Sequence, residues 1–550
     1  MSLIVVRLVF LQVHDAQAYQ DLGEDQRIHP VPLSATRGAI LDRDGRELAL
    51  SLDARAVFAD MRYVEDVAST AWAIAPILEV RPMELQRAML GADGFVYLAR
   101  QVDLPVAEEV AALDLPGIGF LEESKRHYPS GPWGAPQVVG MVGVDGQALG
   151  GLELAFDEEL AGRDGEQQQE IDPAGRPIPQ GRSVLRPAVP GRDVVTTLDP
   201  QLQYQAQVAL EEAVRANGAK GGTVVIMDPR NGEVLALATF YPSGKKHVTI
   251  DRTTNPAVTN VYEPGSVNKV ITAAAAVEER AVDLNEVFHV PDQITAYEYT
   301  IHDAESHGTW RMKLGDIIAH SSNVGTIMVA KQLGEEDMAS YLAKFGYGQE
   351  TGIGLPGESA GLLPSLYDWS GVSMYNIPIG QGVSVTPVQM VNVYATVANG
   401  GVWVQPHLVK ETVDADGTVH PAPPPERRRV ISKQTADVVT GMLAKVVTSG
   451  TGTNAEIPGY WVAGKTGTGK VPNPNGGGYM NRYVASFIGF LPAGDPRVVI
   501  GVIIDQPTAQ IYGGTVAAPV FQNLGKQAIA RLRIPPGERP DLPPMAMKDR

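Results

Sequence analysis

Residues 262–279 read YEPGSVNKVITAAAAVEE, a turn running straight into a helix. Glu263-Pro264-Gly265 is turn chemistry, and the alanine run after Lys269 is a strong helix former. Ser266 therefore stands at a helix start. Lys269, three residues on, shares its face, with Cβ atoms about 5–6 Å apart. The helix N-terminus adds backbone N–H groups and the positive end of the macrodipole beside the serine oxygen. A hydroxyl needs an adjacent base to act as a nucleophile at neutral pH. A lysine serves when burial or a neighbouring cation lowers its pKa. The competing reading is a serine N-cap with a solvated lysine. S-x-x-K alone does not choose between them, because Ser243-Gly244-Lys245-Lys246 fits it too, in a polar stretch with no helix behind it.

Upstream, GTVVIMD (222–228) and EVLALAT (233–239) are apolar runs joined by Pro229-Arg230-Asn231-Gly232, a hairpin signal. Before them, DVVTTL (193–198) reads as a strand, and Asp199-Pro200 opens a helix containing LQYQAQVALEEAV. Downstream, helical patterns cover 267–280, 312–344 and 386–399, and strands return at 461–466, 483–490 and 498–504. Strands first, helices in the middle and strands last predict an α/β (α+β) domain whose sheet is closed by distant segments.

Two further stretches carry candidate chemistry. Ser321-Ser322-Asn323 falls between two apolar helical runs, in a short loop that a packed core would hold rigidly. Its hydroxyl and amide could relay a proton and grip a peptide, or simply cap a helix. Lys465-Thr466-Gly467-Thr468 follows the apolar WVAG. Gly467 would let a ligand backbone approach the strand edge, and the lysine and threonines could bind a carboxylate; the plain alternative is a polar edge strand shielded by its lysine.

The N-terminal third is less regular. Residues 14–35 are expected as a polar helix, Ile40 and Leu41 as a short strand, Asp44-Gly45 as a tight turn, and VAEEVAAL (106–113) as a helix. The proline- and glycine-rich 172–191 reads as an irregular connector, and PAPPPE (421–426) and 533–550 as irregular tails. LIVVRLVFLQV (3–13) is apolar but interrupted by Arg7. Eleven helical residues cover roughly 16 Å, about half of a ~30 Å hydrocarbon core. The expected reading is the outer half of a membrane anchor. A signal peptide cut after Ala16-Gln17-Ala18 lacks its cationic region, and a short packed amphipathic helix is the third reading.

Composition narrows the chemistry. A chain of 550 residues implies two to four domains. A net charge of −18 argues against a nucleic-acid-binding face. The absence of cysteine removes disulfides, thiol catalysis and cysteine-held metals, and the ten histidines form no H-E-x-x-H pair. No metal or organic cofactor is expected.

The three stretches lie 55 residues (266 to 321) and 144 residues (321 to 465) apart. In this order they resemble the S-x-x-K, S-x-N and K-T-G set of penicillin-binding proteins and serine β-lactamases. RGAILDRDG (37–45), RHYPSG (126–131) and GGLELAFDEELAG (150–162) are similar to the pedestal module of a class B penicillin-binding protein. TLDPQLQ (197–203), YEPGSVNK (262–269) and GQGVSVTPVQMVNVYATVANGG (380–401) are similar to its transpeptidase module. No glycosyltransferase module is visible before residue 37.

That resemblance implies a partial anchor at 1–13 and an elongated mixed pedestal, of dimerisation type, at 14–192. It implies a transpeptidase domain at 193–532, with a five-stranded antiparallel-type sheet flanked by helices, and an irregular tail at 533–550. It implies that Ser266 attacks the carbonyl between the last two D-alanines of a wall stem peptide while Lys269 takes its proton. Ser321 would relay a proton to the leaving D-alanine, and Asn323 would hold the peptide. Lys465, Thr466, Gly467 and Thr468 would receive the substrate carboxylate, and backbone N–H groups of Ser266 and Thr468 would form the oxyanion hole. Implied partners are D-Ala-D-Ala donors, amine acceptors, β-lactams and, for the cell-division type, a polytopic membrane glycosyltransferase and other division proteins. The catalytic part would sit outside the plasma membrane. A β-lactamase, a β-lactam-sensing receptor and a non-catalytic scaffold are the rival readings.

Overall fold

Gly221–Met227 and Val234–Phe240 are buried along their whole length, because both faces of their sheet are covered. In the computed structural model, which describes Phe10 and residues 28–171, 177–242, 251–474 and 476–539, five antiparallel strands run in the order Val234–Phe240, Gly221–Met227, Val498–Asp505, Tyr479–Leu491, Ala463–Pro472. The hairpin nearest the N-terminus is thus joined by three strands from more than two hundred residues away, as the pattern of runs predicts. Alternate residues serve opposite cores. Val224 and Ile226 pack with Leu210, Phe487 and Phe521 beneath helices Pro200–Ala216 and Ala518–Leu532. Val225 and Met227 pack with Val267, Val391 and Met442 on the other face. There helices Asn323–Leu333, Glu335–Lys344 and Lys433–Ser449 pack around Lys269–Glu278, which is buried from Lys269 to Ala276. Four alanines in a row let these helices close in on it.

The helix expected over 267–280 begins two residues late. Gly265–Asn268 is a 3-10 turn, and the α-helix starts at Lys269. Gly265 has φ +58°, and an added Cβ on Gly380 would lie 2.2 Å from the Gly265 carbonyl oxygen. The tight backbone contact between these two glycines favours the narrower turn. The 312–344 pattern is three helices, Leu314–His320, Asn323–Leu333 and Glu335–Lys344, the first break falling at Ser321-Ser322.

Two sequence expectations fail in the N-terminal part. Ile28–Leu33 is a strand, not the end of a polar helix, and Pro177–Arg186 is a strand, not irregular connector. They flank Gly165–Ile171 as the two edges of a three-stranded sheet. Proline cannot continue a helix but is tolerated on an edge strand, which explains both errors. The apolar run at 3–13 apart from Phe10, residues 14–27, Ser243-Gly244-Lys245-Lys246 and residues 540–550 lie outside the described residues. Among the described residues, no helix is long and apolar enough to cross a membrane.

The predicted hairpin at Ile40–Leu41 with its Asp44-Gly45 turn is present, as is a helix at Leu104–Ala111. A larger mixed sheet runs Val419–Pro421, Val409–Val413, Asp193–Thr196, Ile40–Leu41, Glu47–Asp60, the last pairing with both Phe95–Asp103 and Ile118–His127. Asp193–Thr196 pairs in parallel with Ile40–Leu41 and antiparallel with Val409–Val413, so one sheet is shared by the N- and C-terminal parts.

The three pedestal-like signatures meet at one buried cluster. Glu153 is fully buried, and its two carboxylate oxygens accept from Arg37 Nε and Arg126 Nε, each at 2.7 Å. Arg37 also donates to the Glu153 carbonyl at 2.8 Å and to Asp157 at 2.6 Å. Removing the carboxylate leaves the buried Arg126 guanidinium without its ion-pair partner and Arg37 with Asp157 alone. Glu153→Ala is expected to destabilise the N-terminal part by about 3–5 kcal/mol, read as a lower first transition in thermal unfolding. A Tm within a degree of the parent would show that the cluster contributes nothing.

Candidate active site

Ser266 lies in the 3-10 turn at the head of the central helix, half-buried where the turn meets the edge strand Ala463–Pro472. The turn is held from all sides by backbone. Gly265 N–H donates to Gly380 O at 3.0 Å, and the Tyr394 hydroxyl donates to Val267 O at 2.9 Å. Asn268 Nδ2 donates to Ile377 O at 2.9 Å, while its Oδ1 accepts from the Tyr347 hydroxyl at 2.7 Å. Gly380 and Tyr394 belong to the long segment 380–401, whose distinctive sequence thus serves to clamp the turn.

Lys269 is fully buried and points across to the loop between helices Leu314–His320 and Asn323–Leu333. Its Nζ donates to Ser321 O at 2.6 Å and to Asn323 Oδ1 at 2.7 Å, with Ser321 Oγ at 3.4 Å. Ser266 Oγ is not among these acceptors. Burial pushes the Lys269 ammonium down to about 7, against the opposing charge of Asp303. Ser321 holds φ +59°, a left-handed conformation that a serine adopts at a cost of order 1 kcal/mol. It closes one helix so that the next can start, and so aims residue 321 at the lysine.

Asn323 is half-buried, and its Nδ2 donates to His302 O at 2.8 Å. With Oδ1 on Lys269, the amide keeps one N–H and one lone pair for a ligand. The loop is fixed by Asp303, which sequence reading missed. Its carboxylate accepts from Ser322 Oγ (2.7 Å), Asn323 N (2.6 Å) and Val324 N (3.0 Å), capping the Asn323–Leu333 helix. His307 Nε2 lies 3.1 Å from the same carboxylate, and its ring stacks on Trp310 at 3.9 Å. Nothing local distinguishes Asp303 within the polar stretch 301–308, because its partners are brought in by a hairpin, Gln293–Ala296 with Tyr299–His302.

Lys465, also fully buried, donates to Thr466 O at 3.2 Å and Thr466 Oγ1 at 3.3 Å. Burial, reinforced by the charge of Lys269, holds its pKa well below the usual lysine value. Two buried lysines therefore resist being charged together. Thr466 Oγ1 lies 2.6 Å from Thr451 Oγ1, a second residue that sequence reading missed. Thr468 Oγ1 accepts from Gly513 N at 3.3 Å and is half-buried. At Gly467 a Cβ would sit 2.3 Å from Ser486 Oγ on the neighbouring strand and 3.0 Å from Val267 Cγ1, so the glycine also gives room to that strand and to the Ser266 turn.

Ser266, Lys269, Ser321, Asn323, Lys465 and the Thr466–Thr468 edge thus converge, although they come from three distant stretches. The assembly offers a half-buried hydroxyl on the turn that leads into Lys269, a buried lysine pushed down to about 7, a second buried lysine and an open strand edge. Those are the parts of nucleophilic acyl transfer. Among the described residues, no group of three or more His, Asp or Glu side chains is placed to hold a metal ion.

Residues 222–526 match the penicillin-binding protein transpeptidase domain, and residues 32–196 the penicillin-binding protein dimerisation domain. The chain is 37% identical to penicillin-binding protein PbpB of Mycolicibacterium smegmatis, over 99% of this chain and 90% of that protein. It is 33% identical to peptidoglycan D,D-transpeptidase FtsI of Escherichia coli, over 98% and 90%. Its fold matches the crystal structure of penicillin-binding protein 3 from Mycobacterium tuberculosis complexed with aztreonam, with a TM-score of 0.73 and 35% identity, over 94% of this chain and all of that one.

Proposed function

The chain belongs to the class B penicillin-binding proteins, and on that premise we propose that its cleft performs peptidoglycan D,D-transpeptidation with Ser266 as nucleophile and Lys269 as base. The observation that carries the assignment is the Lys269 ammonium, buried and pushed down to about 7, bonded to the Ser321 carbonyl and Asn323 amide.

In this reading neutral Lys269 takes the Ser266 proton as Oγ attacks the penultimate D-alanine carbonyl. The developing oxyanion is received by the backbone N–H groups of Ser266 and Thr468; losing one such donor typically costs about 10²–10³ in rate. Ser321 passes a proton to the leaving D-alanine, and Asn323 spends its free N–H and lone pair on the peptide. The substrate carboxylate binds at Lys465, Thr466, Gly467 and Thr468. A buried Lys465 beside Lys269 lets an arriving carboxylate favour the charged lysine there, which leaves Lys269 the neutral one. An amine from a neighbouring strand then attacks the acyl-enzyme. β-Lactams enter the same path and remain as stable acyl groups on Ser266. We propose septum synthesis as its setting, a reading that the similarity to FtsI and PbpB supports. We propose further that the catalytic part lies outside the plasma membrane on a single N-terminal anchor, and works with a polytopic membrane glycosyltransferase of the division apparatus.

Digestion of the penicillin-labelled chain is the direct test. The adduct is expected on the peptide bearing Ser266, and an adduct elsewhere would displace the assignment. The pH dependence follows from Lys269. Below about 7 the folded-state lysine is an ammonium and cannot accept a proton; above it the base is free. The second-order acylation rate is expected to rise with pH through a midpoint near 7 and then level off. A flat profile from pH 5 to 9, or a rate that falls as pH rises through about 7, would remove Lys269 as the base.

A further inference from the structure

The loop that brings Ser321 and Asn323 to Lys269 is tied down by the Asp303 carboxylate, which accepts from Ser322 Oγ, Asn323 N and Val324 N. Asn323 joins that carboxylate to the lysine. Its backbone N–H donates to Asp303, and its Oδ1 accepts from Lys269 Nζ at 2.7 Å. A negative charge so placed has two effects. It holds the loop, and it favours the proton on Lys269, which must leave before the lysine can act as a base.

His307 supplies a counter-charge. Its side chain is only 4% exposed, with the Trp310 ring stacked on it at 3.9 Å. Both ring nitrogens meet acceptors: Nε2 faces Asp303 Oδ2 at 3.1 Å, and Nδ1 faces the Gly308 carbonyl oxygen. A neutral imidazole has one N–H and would turn a lone pair on one of them. Only the imidazolium donates from both. Burial opposes that charge, but the Gly308 carbonyl, Asp303 and Asp292 outweigh it and raise the pKa above the usual histidine value.

The charged groups facing the ring are thus Asp303 and Asp292, the latter bound by Ser306 Oγ at 2.8 Å. His320 meets Trp310 edge-on, with ring centres 5.7 Å apart. Those facing Lys269 are Asp303 and Lys465.

We propose that His307 is a positioning residue, an imidazolium that holds Asp303 on the Ser321–Asn323 loop and offsets its charge toward Lys269. The proposal rests on Lys269 as the base. With the cation present, Asp303 keeps its three loop bonds and exerts less net field on the lysine. Without it the same bonds stand, but the uncompensated carboxylate stabilises the ammonium and delays the base.

His307→Gln keeps a donor for Asp303 and loses the charge. Its penicillin acylation is expected to rise through a midpoint higher than the parent's by roughly 0.5–1 pH unit, below the roughly 1–3 units of a charge in direct contact. The same shift reads as a rate about three- to tenfold lower at pH 6.5 and near-parental at pH 9. A loosened loop would instead lower the rate at every pH. The Asp303→Asn, His307→Gln double variant lacks both charges and keeps the paired shape, so its midpoint is expected to return to the parent's. Histidine 15N spectra of the full chain at pH 7 read the charge directly: both nitrogens of the ring in contact with Trp310 are expected to be protonated. An unmoved or lowered midpoint in His307→Gln, a double variant that keeps the shift, or a neutral ring at pH 7 would each overturn the proposal. A parent whose acylation does not rise through about 7 refutes the Lys269 reading instead, and the spectra then decide His307 alone. They need no substitution, so they decide equally if His307→Gln fails to fold.

Discussion

Ser266→Ala is expected to take up no fluorescent penicillin, at any concentration or time, with a melting curve that overlays that of the parent chain. The change removes one oxygen from a half-buried side chain in a 3-10 turn that backbone contacts already fix. The Gly265 N–H to Gly380 bond, the Tyr394 hydroxyl on Val267 O and the Asn268 amide are all untouched. Stability should therefore move by less than about 1 kcal/mol, as for other substitutions that create no large cavity and strand no buried group. The chemical loss is total, because no other hydroxyl occupies the same place. Ser321 Oγ is the nearest rival, 3.4 Å from the same lysine. It sits on the other side of Lys269, on a residue locked at positive φ. A labelled band surviving in Ser266→Ala and vanishing in the Ser266→Ala, Ser321→Ala double variant would make Ser321 the nucleophile. Cross-linking of stem peptides by Ser266→Ala should be lost in parallel. Retained cross-linking with lost labelling would separate the two activities and refute a shared acyl-enzyme.

The parts of this site that were legible in the sequence share a physical character. Ser266 and Lys269 are three residues apart on one helix start, so their proximity is local geometry. The sheet hairpin was legible because apolar runs around Asn231-Gly232 need no tertiary information. The convergence of residues 266, 321 and 465 could be read only from their order and from the resemblance that order carries, since nothing in 55 or 144 residues of spacing fixes a distance. Asp303 was illegible for the same reason in reverse. It has no motif, and it acts through a hairpin that packs on the loop it caps. Thr451 meets Thr466 only because the helix Lys433–Ser449 delivers it to the strand. The prolines misled at 177–186, since proline in sequence marks a break without saying whether the chain resumes as an edge, whereas at 28–33 the helix reading ran through Pro30 and Pro32, which a helix interior does not keep. Gly467 also meets a demand the sequence could not show: a Cβ there would meet Ser486 Oγ on the neighbouring strand and Val267 in the Ser266 turn, contacts that only the fold brings together.

Replacing Lys269 tests whether the lysine is a base or only a buried prop, and the choice of substitute decides what is learned. Lys269→Ala leaves the Ser321 carbonyl and Asn323 Oδ1 without their donor and opens a hole in the core, so a slow enzyme could merely be a loosened one. Lys269→Met keeps the volume and removes the base. Acylation by penicillin is expected to fall by about 10²–10⁴-fold, the range for losing a positioned general base, and the residual rate should lose its dependence on pH near 7. Lys269→Arg keeps a charge and donors for Ser321 and Asn323 but cannot deprotonate, and it should be as slow as the Met variant. Near-parental acylation by the Arg variant would make the lysine a positioning group. Stability supplies an independent check. The unfolded chain holds the lysine proton up to about 10.5 and the folded chain only up to about 7, so between those values the unfolded state binds more protons and stability rises with pH. The burden of the buried charge is complete below about 7 and is relieved towards 10.5. Lys269→Met never carries that charge, so its advantage over the parent should be largest in acid and shrink as pH climbs from 7 to 10. A stability difference independent of pH across that window would mean that Lys269 keeps an ordinary lysine pKa in the folded chain, and the mechanism would then lack its base.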